Sequence, residues 1–165
     1  VDHANSQVRA LISGLSEYLN SSSITPSIEL EIEDYINEFR TATSLDLSVD
    51  IAYQDFPELP PLVQRQIFLI MRETLANITR HAGASRAGVK IALNDGSVTL
   101  EVVDNGVGFD SNTPLDDAHM GLKIMRARAE RVYGQFDLIS QPGEGTKVIV
   151  NIPCTVSGEK GLIYS

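Results

Sequence analysis

The segment "VVDNGVGFD", residues 102–110, constrains the fold more than any other part of the sequence. Asn-Gly after an apolar run is typical of a β-hairpin. The residues that follow, "DSNTPLDDAHM" (110–120), are polar and do not alternate, so they offer no returning strand. We therefore predict that a strand ends at Asp104 and that the two glycines shape a loop with a role other than chain reversal.

Apolar periodicity on both sides of this segment predicts a mixture of helices and strands. Helices are expected over residues 7–19, from Pro26 (after an N-cap at Thr25) through Phe39, over 61–81 and over 121–133. Alternation predicts strands over residues 45–53, 87–95, 97–104, 135–140 and 146–153, with a hairpin turn at Asp95-Gly96. This order predicts an α+β fold, a two-layer sandwich with three helices on one face of a mixed sheet of about five strands.

Composition sets limits on the class of protein. The chain has 165 residues and a mass of 18.0 kDa, which suits one domain with a short appended element. A formal charge of −9 argues against a nucleic-acid partner. The single cysteine, Cys154, cannot form an internal disulfide, and neither a signal peptide nor a membrane span is visible. We expect a cytoplasmic fragment of a larger protein, which could itself carry a membrane anchor.

The helix predicted over residues 61–81 carries a polar ridge beside its apolar face. With a rotation of 100° per residue, the ridge contains four polar residues on one side of the helix: Glu73, Asn77, Arg80 and His81. An amide oxygen near a carboxylate suits magnesium, which takes few protein ligands and several phosphate oxygens. Taken alone, the same residues also suit an ordinary solvated helix surface.

The loop that contains Gly106 and Gly108, called the glycine loop below, and two later segments contain further residues suited to binding a ligand. Asp104 can accept hydrogen bonds from an exocyclic amine, and Gly106 and Gly108 let the backbone approach a flat base, although a strand end with an Asx turn is an alternative. Gly121 opens a helix that contains several cations, and a helix start attracts anions. In "GEGT", Thr146 places a hydroxyl at the start of a strand.

Four segments in this order resemble the N, G1, G2 and G3 boxes of the GHKL ATPases, which include gyrase, a heat-shock chaperone, histidine kinases and a mismatch-repair protein. The segments are "RETLANITRHA" (72–82), "DNGVGF" (104–109), "GLKIMRARAE" (121–130) and "GEGTKV" (143–148). The likeness is greatest to sensor histidine kinases of the nitrate-sensor-like subfamily. It spans about residues 60–153, and residues 4–52 resemble the end of a dimerisation helix and the lead-in to the ATP domain.

The resemblance implies a Bergerat-type fold and a role for each matching residue. Asp104 would read adenine, Asn77 would bind Mg²⁺, and Glu73 matches the acidic residue that is a general base in water-activating relatives. The nucleotide-binding residues implied in this way are Asn77, Arg80, His81, Asp104, Gly106, Gly108, Gly121, Leu122, Gly145 and Thr146. The polar segment around 110–119 matches a short ATP lid.

The same resemblance implies the function and the domain organisation. Residues 1–22 would end a dimerisation helix, 23–153 would form the ATP-binding catalytic domain of a two-component sensor histidine kinase, and 154–165 would be a tail. The γ-phosphate of ATP would pass to a histidine outside the fragment, because His3 lacks the acidic neighbour of a phosphoacceptor motif. Implied partners are the phosphoacceptor domain of the parent chain, a second copy in a full-length homodimer, and a response regulator of the helix-turn-helix type.

Two other functions remain open from the sequence. A serine kinase of the anti-sigma-factor type shares the fold and the ATP site, but the predicted helix over 7–19 argues against it. A nucleotide-gated interaction module without phosphotransfer also shares the site, but its relatives have a longer lid than residues 110–119 provide.

Overall fold

The computed structural model of the chain describes residues 27–94, 96–110 and 120–154. The predicted helix over 7–19, the cap at Thr25 and Pro26, and His3 lie outside these residues. The segment 111–119 and the residues 155–165 of the predicted tail also lie outside them.

The described residues form three α-helices and five strands in the predicted order. The helices are α1 (Ile28–Ala42), α2 (Pro61–Asn77) and α3 (Met120–Glu130), with a short 3-10 helix at Tyr53–Glu58 and a π-helical turn at Ile78–Ala82 that continues α2. The strands are β1 (Asp46–Ile51), β2 (Arg86–Asn94), β3 (Ser97–Asp104), β4 (Gln135–Ser140) and β5 (Thr146–Pro153).

The five strands form one mixed sheet in the order β1-β2-β3-β5-β4. Strand β1 runs parallel to β2, and all other neighbours are antiparallel. The β2–β3 pairing extends to Asn94 and Ser97, so the predicted hairpin at residues 95–96 is confirmed, while Asn105-Gly106 joins no hairpin. The register places Asp104 directly opposite Thr146.

The core lies between the helices and one face of the sheet. Helix α2 begins with a proline at its first position, where the missing N–H costs nothing. Together with the π-helical turn it buries the apolar stripe that its periodicity predicts, of which no member is more than 5% exposed: Ile67, Ile70, Met71, Leu75 and Ile78. Alternate residues of the strands belong to the same buried core cluster as this stripe, among them Leu100 and Val150. Each such side chain contributes about 1.5–3 kcal/mol of transfer free energy. The prediction of a two-layer α+β sandwich is confirmed.

Helix α3 ends earlier than the periodicity predicts. Its predicted apolar face is buried as far as Val132, but the helix stops at Glu130 because the chain closes with a Schellman motif. The N–H of Gly134 donates to the Ala129 carbonyl at 2.9 Å, and Tyr133 adopts φ 56°. The chain then turns directly into β4.

The last described residue belongs to the packed domain. Cys154, predicted as the first residue of the tail, is buried, and its N–H donates to the Gly96 carbonyl at 2.6 Å. Strand β5 is therefore fastened to the β2–β3 hairpin at its end.

Candidate functional site

A cavity of about 350 Å³ opens between the C-terminal part of α2, the loop after β3, the start of α3 and the start of β5. Its walls are largely apolar, with a few polar groups from different elements, which is typical of a site for a small organic ligand. Seven of the residues predicted to bind nucleotide line it: Asn77, His81, Asp104, Gly108, Gly121, Leu122 and Thr146.

On one wall of the cavity, α2 and α3 approach each other at Gly121. A Cβ at this glycine would lie 2.9 Å from Glu73 Oε1 and 3.4 Å from Asn77 Nδ2. The side chain of Asn77 makes no capping hydrogen bond and lines the cavity. Glycine at position 121 therefore lets the start of α3 come close to an amide and a carboxylate on α2.

The predicted ridge on α2 divides into two parts. His81 lines the cavity from the π-helical turn. Arg80 does not line it, and its guanidinium lies 3.9 Å from Glu73 Oε1 on the solvent side. Two of the cations on α3 also point elsewhere, since Arg128 donates to Gln66 Oε1 at 3.5 Å and Arg126 covers the Phe136 ring.

The strand β3 contributes Asp104 to the cavity wall, and this residue is only 7% exposed. Its Oδ1 accepts the N–H of Gly106 at 2.7 Å, and the N–H of Thr146 also donates to the carboxylate. Burial raises the pKa of the Asp104 carboxyl above its ordinary value, and the two N–H groups offset only part of that rise. The site therefore maintains a desolvated hydrogen-bond acceptor.

Three of the predicted glycines occupy positions that exclude a side chain. A Cβ at Gly106 would lie 2.6 Å from the Ala82 Cβ and closer still to the Ala82 carbonyl oxygen. Gly108 (φ 59°) and Gly145 (φ 77°) adopt left-handed conformations, and a Cβ there would collide with the carbonyl oxygens of Gln141 and Asp104 respectively. Gly106 and Gly145 shape the loop from outside the cavity wall.

Hydrogen bonds fix the glycine loop to the elements around it. Val107 N–H donates to the Ala82 carbonyl at 2.8 Å, and Gly143 N–H donates to the Val107 carbonyl at 2.6 Å. Asn105 Oδ1 accepts the N–H groups of Ser85 and Arg86 at 3.0 and 2.9 Å. The Asn-Gly pair thus fastens the end of β3 to the start of β2.

Sequence reasoning missed two kinds of site residue. The first is the apolar lining, which includes Ile78, Ala82, Val107, Phe109, Met125 and Val148. Their periodicity predicts burial but does not separate cavity wall from core. The second is Ser140, a buried hydroxyl at the end of β4 whose three partners come from the glycine loop and from the turn into β5.

Comparison with known proteins decides the family. Residues 62–156 match the family described as "Histidine kinase-, DNA gyrase B-, and HSP90-like ATPase", and this range is more than half of the chain. The chain belongs to this family. All four sequence boxes and the whole cavity lie within the matched range.

Curated relatives are sensor proteins. The chain is 34% identical over 145 residues to the nitrate/nitrite sensor protein NarX of Escherichia coli K12, covering 87% of this chain and 23% of NarX. It is 32% identical over 122 residues to the sensor histidine kinase LiaS of Bacillus subtilis, covering 74% of this chain and 33% of LiaS. The chain therefore spans about a quarter to a third of the length of these relatives.

Solved structures of histidine kinases have the same fold. The histidine kinase domain of the blue-light-activated kinase EL346 of Erythrobacter litoralis aligns with a TM-score of 0.63 at 16% identity, covering 83% of this chain and 67% of that one. The histidine kinase AdeS of Acinetobacter baumannii aligns with a TM-score of 0.59 at 14% identity, covering 93% and 79%. The prediction of an ATP-binding catalytic domain of the sensor histidine kinase type is confirmed, while the nitrate-sensor-like subfamily stays a prediction.

The side chains available as metal ligands restrict how a metal ion could be bound at this site. Within residues 27–94, 96–110 and 120–154, no cluster of three or more His, Cys, Asp or Glu could bind a metal ion. Asn77, with Glu73 nearby, instead suits an ion whose other ligands come from phosphate and water, and Mg²⁺ prefers that arrangement.

Among the described helices, none is long and apolar enough to span a membrane.

Proposed function

We propose that this domain binds Mg-ATP with the base at Asp104 and Thr146 and the phosphates toward Asn77, His81 and the start of α3. One observation carries the proposal: the amide of Asn77 and the carboxylate of Asp104 line the same cavity from different elements. The apolar walls between them, including Met125 and Val148, suit a purine ring.

The base end offers an acceptor for an amine. The carboxylate of Asp104 is buried and already bonded to the N–H groups of Gly106 and Thr146, so it is oriented before any ligand arrives. An exocyclic amino group can donate to its remaining lone pairs, whereas a keto oxygen at the same place would repel them.

The phosphate end supplies positive and polar groups. Asn77 would hold Mg²⁺, whose charge when bound neutralises the phosphate oxygens during phosphoryl transfer. His81 lines the cavity on the same element, and the N-terminal end of α3 faces this region at Gly121. Glu73 would act from the edge of the site, where its carboxylate flanks Gly121 and pairs with Arg80.

We further propose that the γ-phosphate passes to a histidine on the phosphoacceptor domain of the parent protein. The ATP-binding domain would lie in the cytoplasm, and the parent protein would form a homodimer and phosphorylate a response regulator of the helix-turn-helix type. The relatives named as sensor histidine kinases support this reaction. Catalysis would then consist mainly of positioning and charge neutralisation. The fragment alone should bind nucleotide but turn it over slowly.

Calorimetry with a non-hydrolysable ATP analogue tests the nucleotide and metal parts together. Wild type should bind the analogue more tightly with Mg²⁺ than without it. Asn77→Leu, which keeps the size but not the amide, should lose this enhancement while retaining weak metal-free binding. Equal affinity with and without Mg²⁺ in wild type would refute the assignment of Asn77.

The phosphoryl acceptor is tested with the parent protein. Incubation with labelled ATP should give a phosphate that is labile to acid and stable to base, as expected for phosphohistidine. A phosphate that survives acid and is lost in base would indicate a serine kinase. ATP-dependent association without any incorporated label would indicate a nucleotide-gated interaction module.

A further inference from the structure

The hydroxyl of Ser140 joins three segments of the site. It is 4% exposed at the end of β4. It lies 2.9 Å from the backbone nitrogen of Phe109, 2.9 Å from the carbonyl oxygen of Gly145 and 3.0 Å from the hydroxyl oxygen of Thr146. Phe109 and Thr146 both line the cavity, whereas Ser140 does not.

The donors and acceptors present favour one direction for each bond in this cluster. A serine hydroxyl has one hydrogen and two lone pairs. The Gly145 carbonyl can only accept, so the hydrogen of Ser140 must point to it. The Phe109 N–H can only donate, so it occupies one lone pair. The second lone pair remains for Thr146, whose hydroxyl must therefore donate to Ser140.

The alternative arrangement is disfavoured in a buried site. If Ser140 donated to Thr146, its oxygen would face the Gly145 carbonyl oxygen at 2.9 Å with no hydrogen between them. Two lone-pair-bearing oxygens repel at that distance, and the buried carbonyl would lose a partner at a cost of about 1–3 kcal/mol. The cluster therefore has one favoured proton arrangement.

From this arrangement we propose that Ser140 is a specificity-determining positioning residue, which holds the Thr146 hydroxyl as a pure acceptor toward the ligand. With its hydrogen committed to Ser140, the Thr146 hydroxyl can contact a ligand only as an acceptor. Asp104 lies opposite Thr146 in the β3–β5 register and presents a carboxylate beside it. The base end of the cavity thus has two adjacent acceptors and selects a base that carries an amino group over one that carries a keto group.

This inference rests on the proposed function, and the ratio of two dissociation constants tests it. The probes are ADP and IDP, whose bases differ in an amino group against a keto group. We expect wild type to bind ADP at least about tenfold more tightly than IDP. In Ser140→Ala the Thr146 hydroxyl can turn and donate to the keto oxygen, so the IDP/ADP ratio of dissociation constants should fall about fivefold. Using the ratio removes any general loss of affinity.

Two further variants show whether Ser140 acts through Thr146. Thr146→Val should lower the ratio about as much as Ser140→Ala, and the double variant should lower it no further than Thr146→Val alone. Ser140→Thr, which keeps the hydroxyl, should restore the wild-type ratio. If Ser140→Ala does not fold, as judged by circular dichroism, Thr146→Val decides the outcome by the same criterion.

The outcomes separate the two claims. A wild-type ratio that persists in Ser140→Ala, or in Thr146→Val, overturns the role of Ser140 and leaves nucleotide binding intact. Binding of neither ADP nor IDP by wild type overturns the proposed function and this inference with it. A lowered ratio in both single variants, without further loss in the double variant, supports the inference.

Discussion

The side chains of Asn77 and Asp104 line one cavity, although the first lies at the end of a helix and the second at the end of a strand. The rest of the cavity wall is largely apolar, and the backbone hydrogen bond from the Val107 N–H to the Ala82 carbonyl joins the glycine loop to the end of the helical segment. A ligand that contacts both side chains needs an apolar part and two different polar groups. A purine nucleotide with its metal has this form.

Substitution of Gly121 tests the approach of α3 to α2. In Gly121→Ala the new methyl group would lie 2.9 Å from the Glu73 carboxylate and 3.4 Å from the Asn77 amide. Because the Glu73 side chain is partly exposed, it can move at little cost in stability, but the phosphate end of the site changes. We expect ATP-analogue affinity to fall about tenfold, or about 1.4 kcal/mol, with a nearly unchanged unfolding midpoint. Ala127→Ser, at an exposed position on the same helix, should bind normally.

Substitution of Gly108 tests the shape of the glycine loop. Gly108→Ala should destabilise the domain by more than about 2 kcal/mol, since it adds a collision with the Gln141 carbonyl to the cost of a left-handed alanine. Gly143→Ala is the matched control: its φ is also positive, at 86°, but nothing lies within 4 Å of the new Cβ. Gly143→Ala should lower the free energy of unfolding, measured by urea denaturation, by only about 1–2 kcal/mol. Equal losses for the two variants would show that the collision is unimportant.

Met125 tests whether the cavity wall also supports the fold. This side chain is fully buried, lines the cavity and lies with its sulfur 3.2 Å from the Thr74 hydroxyl oxygen. Met125→Ala should reduce the free energy of unfolding by about 2–5 kcal/mol and weaken nucleotide binding. Met125→Leu, which conserves volume, should cost less than about 1.5 kcal/mol. A loss of binding in Met125→Ala with unchanged stability would mean that the residue serves the ligand alone.

The buried carboxyl of Asp104 predicts a pH-dependent stability difference. Burial raises its pKa in the folded state above the ordinary 3.8, so the folded state retains the proton to higher pH than the unfolded state. The contribution of this group to stability is therefore present below pH 3.8 and is lost as pH rises through the folded-state pKa. Urea unfolding of wild type and Asp104→Asn without nucleotide, from about pH 4 to about pH 8, should show the variant gaining relative stability with pH. A constant difference would contradict the assigned cause.

Much of the fold could be predicted because hydrophobic periodicity is strong in this sequence. Strands β4 and β5 begin and end where alternation predicts, and α2 buries the predicted stripe. The end of α3 could not be predicted in this way, because Val132 continues the apolar face although the helix has already ended at Glu130, in the Schellman motif closed by Tyr133 and Gly134.

Site residues could be predicted where the type of residue itself indicates the chemistry. They could not be predicted where the role of a residue depends on its three-dimensional surroundings. Asp104 and Asn77 stand out by their neighbours in sequence, and the structure places both on the cavity. Ser140 has no such signal, because its role depends on the register of β4 against β5 and on the return of the glycine loop at Phe109. The same is true of Arg80, whose guanidinium lies 3.9 Å from Glu73 Oε1 and which does not line the cavity.

Calorimetric titration of wild type and Asp104→Asn with a magnesium–ATP analogue tests the central claim most directly. Asparagine has nearly the same size and can still accept the Gly106 N–H, but its amide nitrogen would face the amino group of the base as a second donor. We predict saturable binding by wild type and a loss of at least about a hundredfold in affinity for a folded Asp104→Asn, close to 2.7 kcal/mol. Undiminished binding by the variant, or none by wild type, would contradict the account.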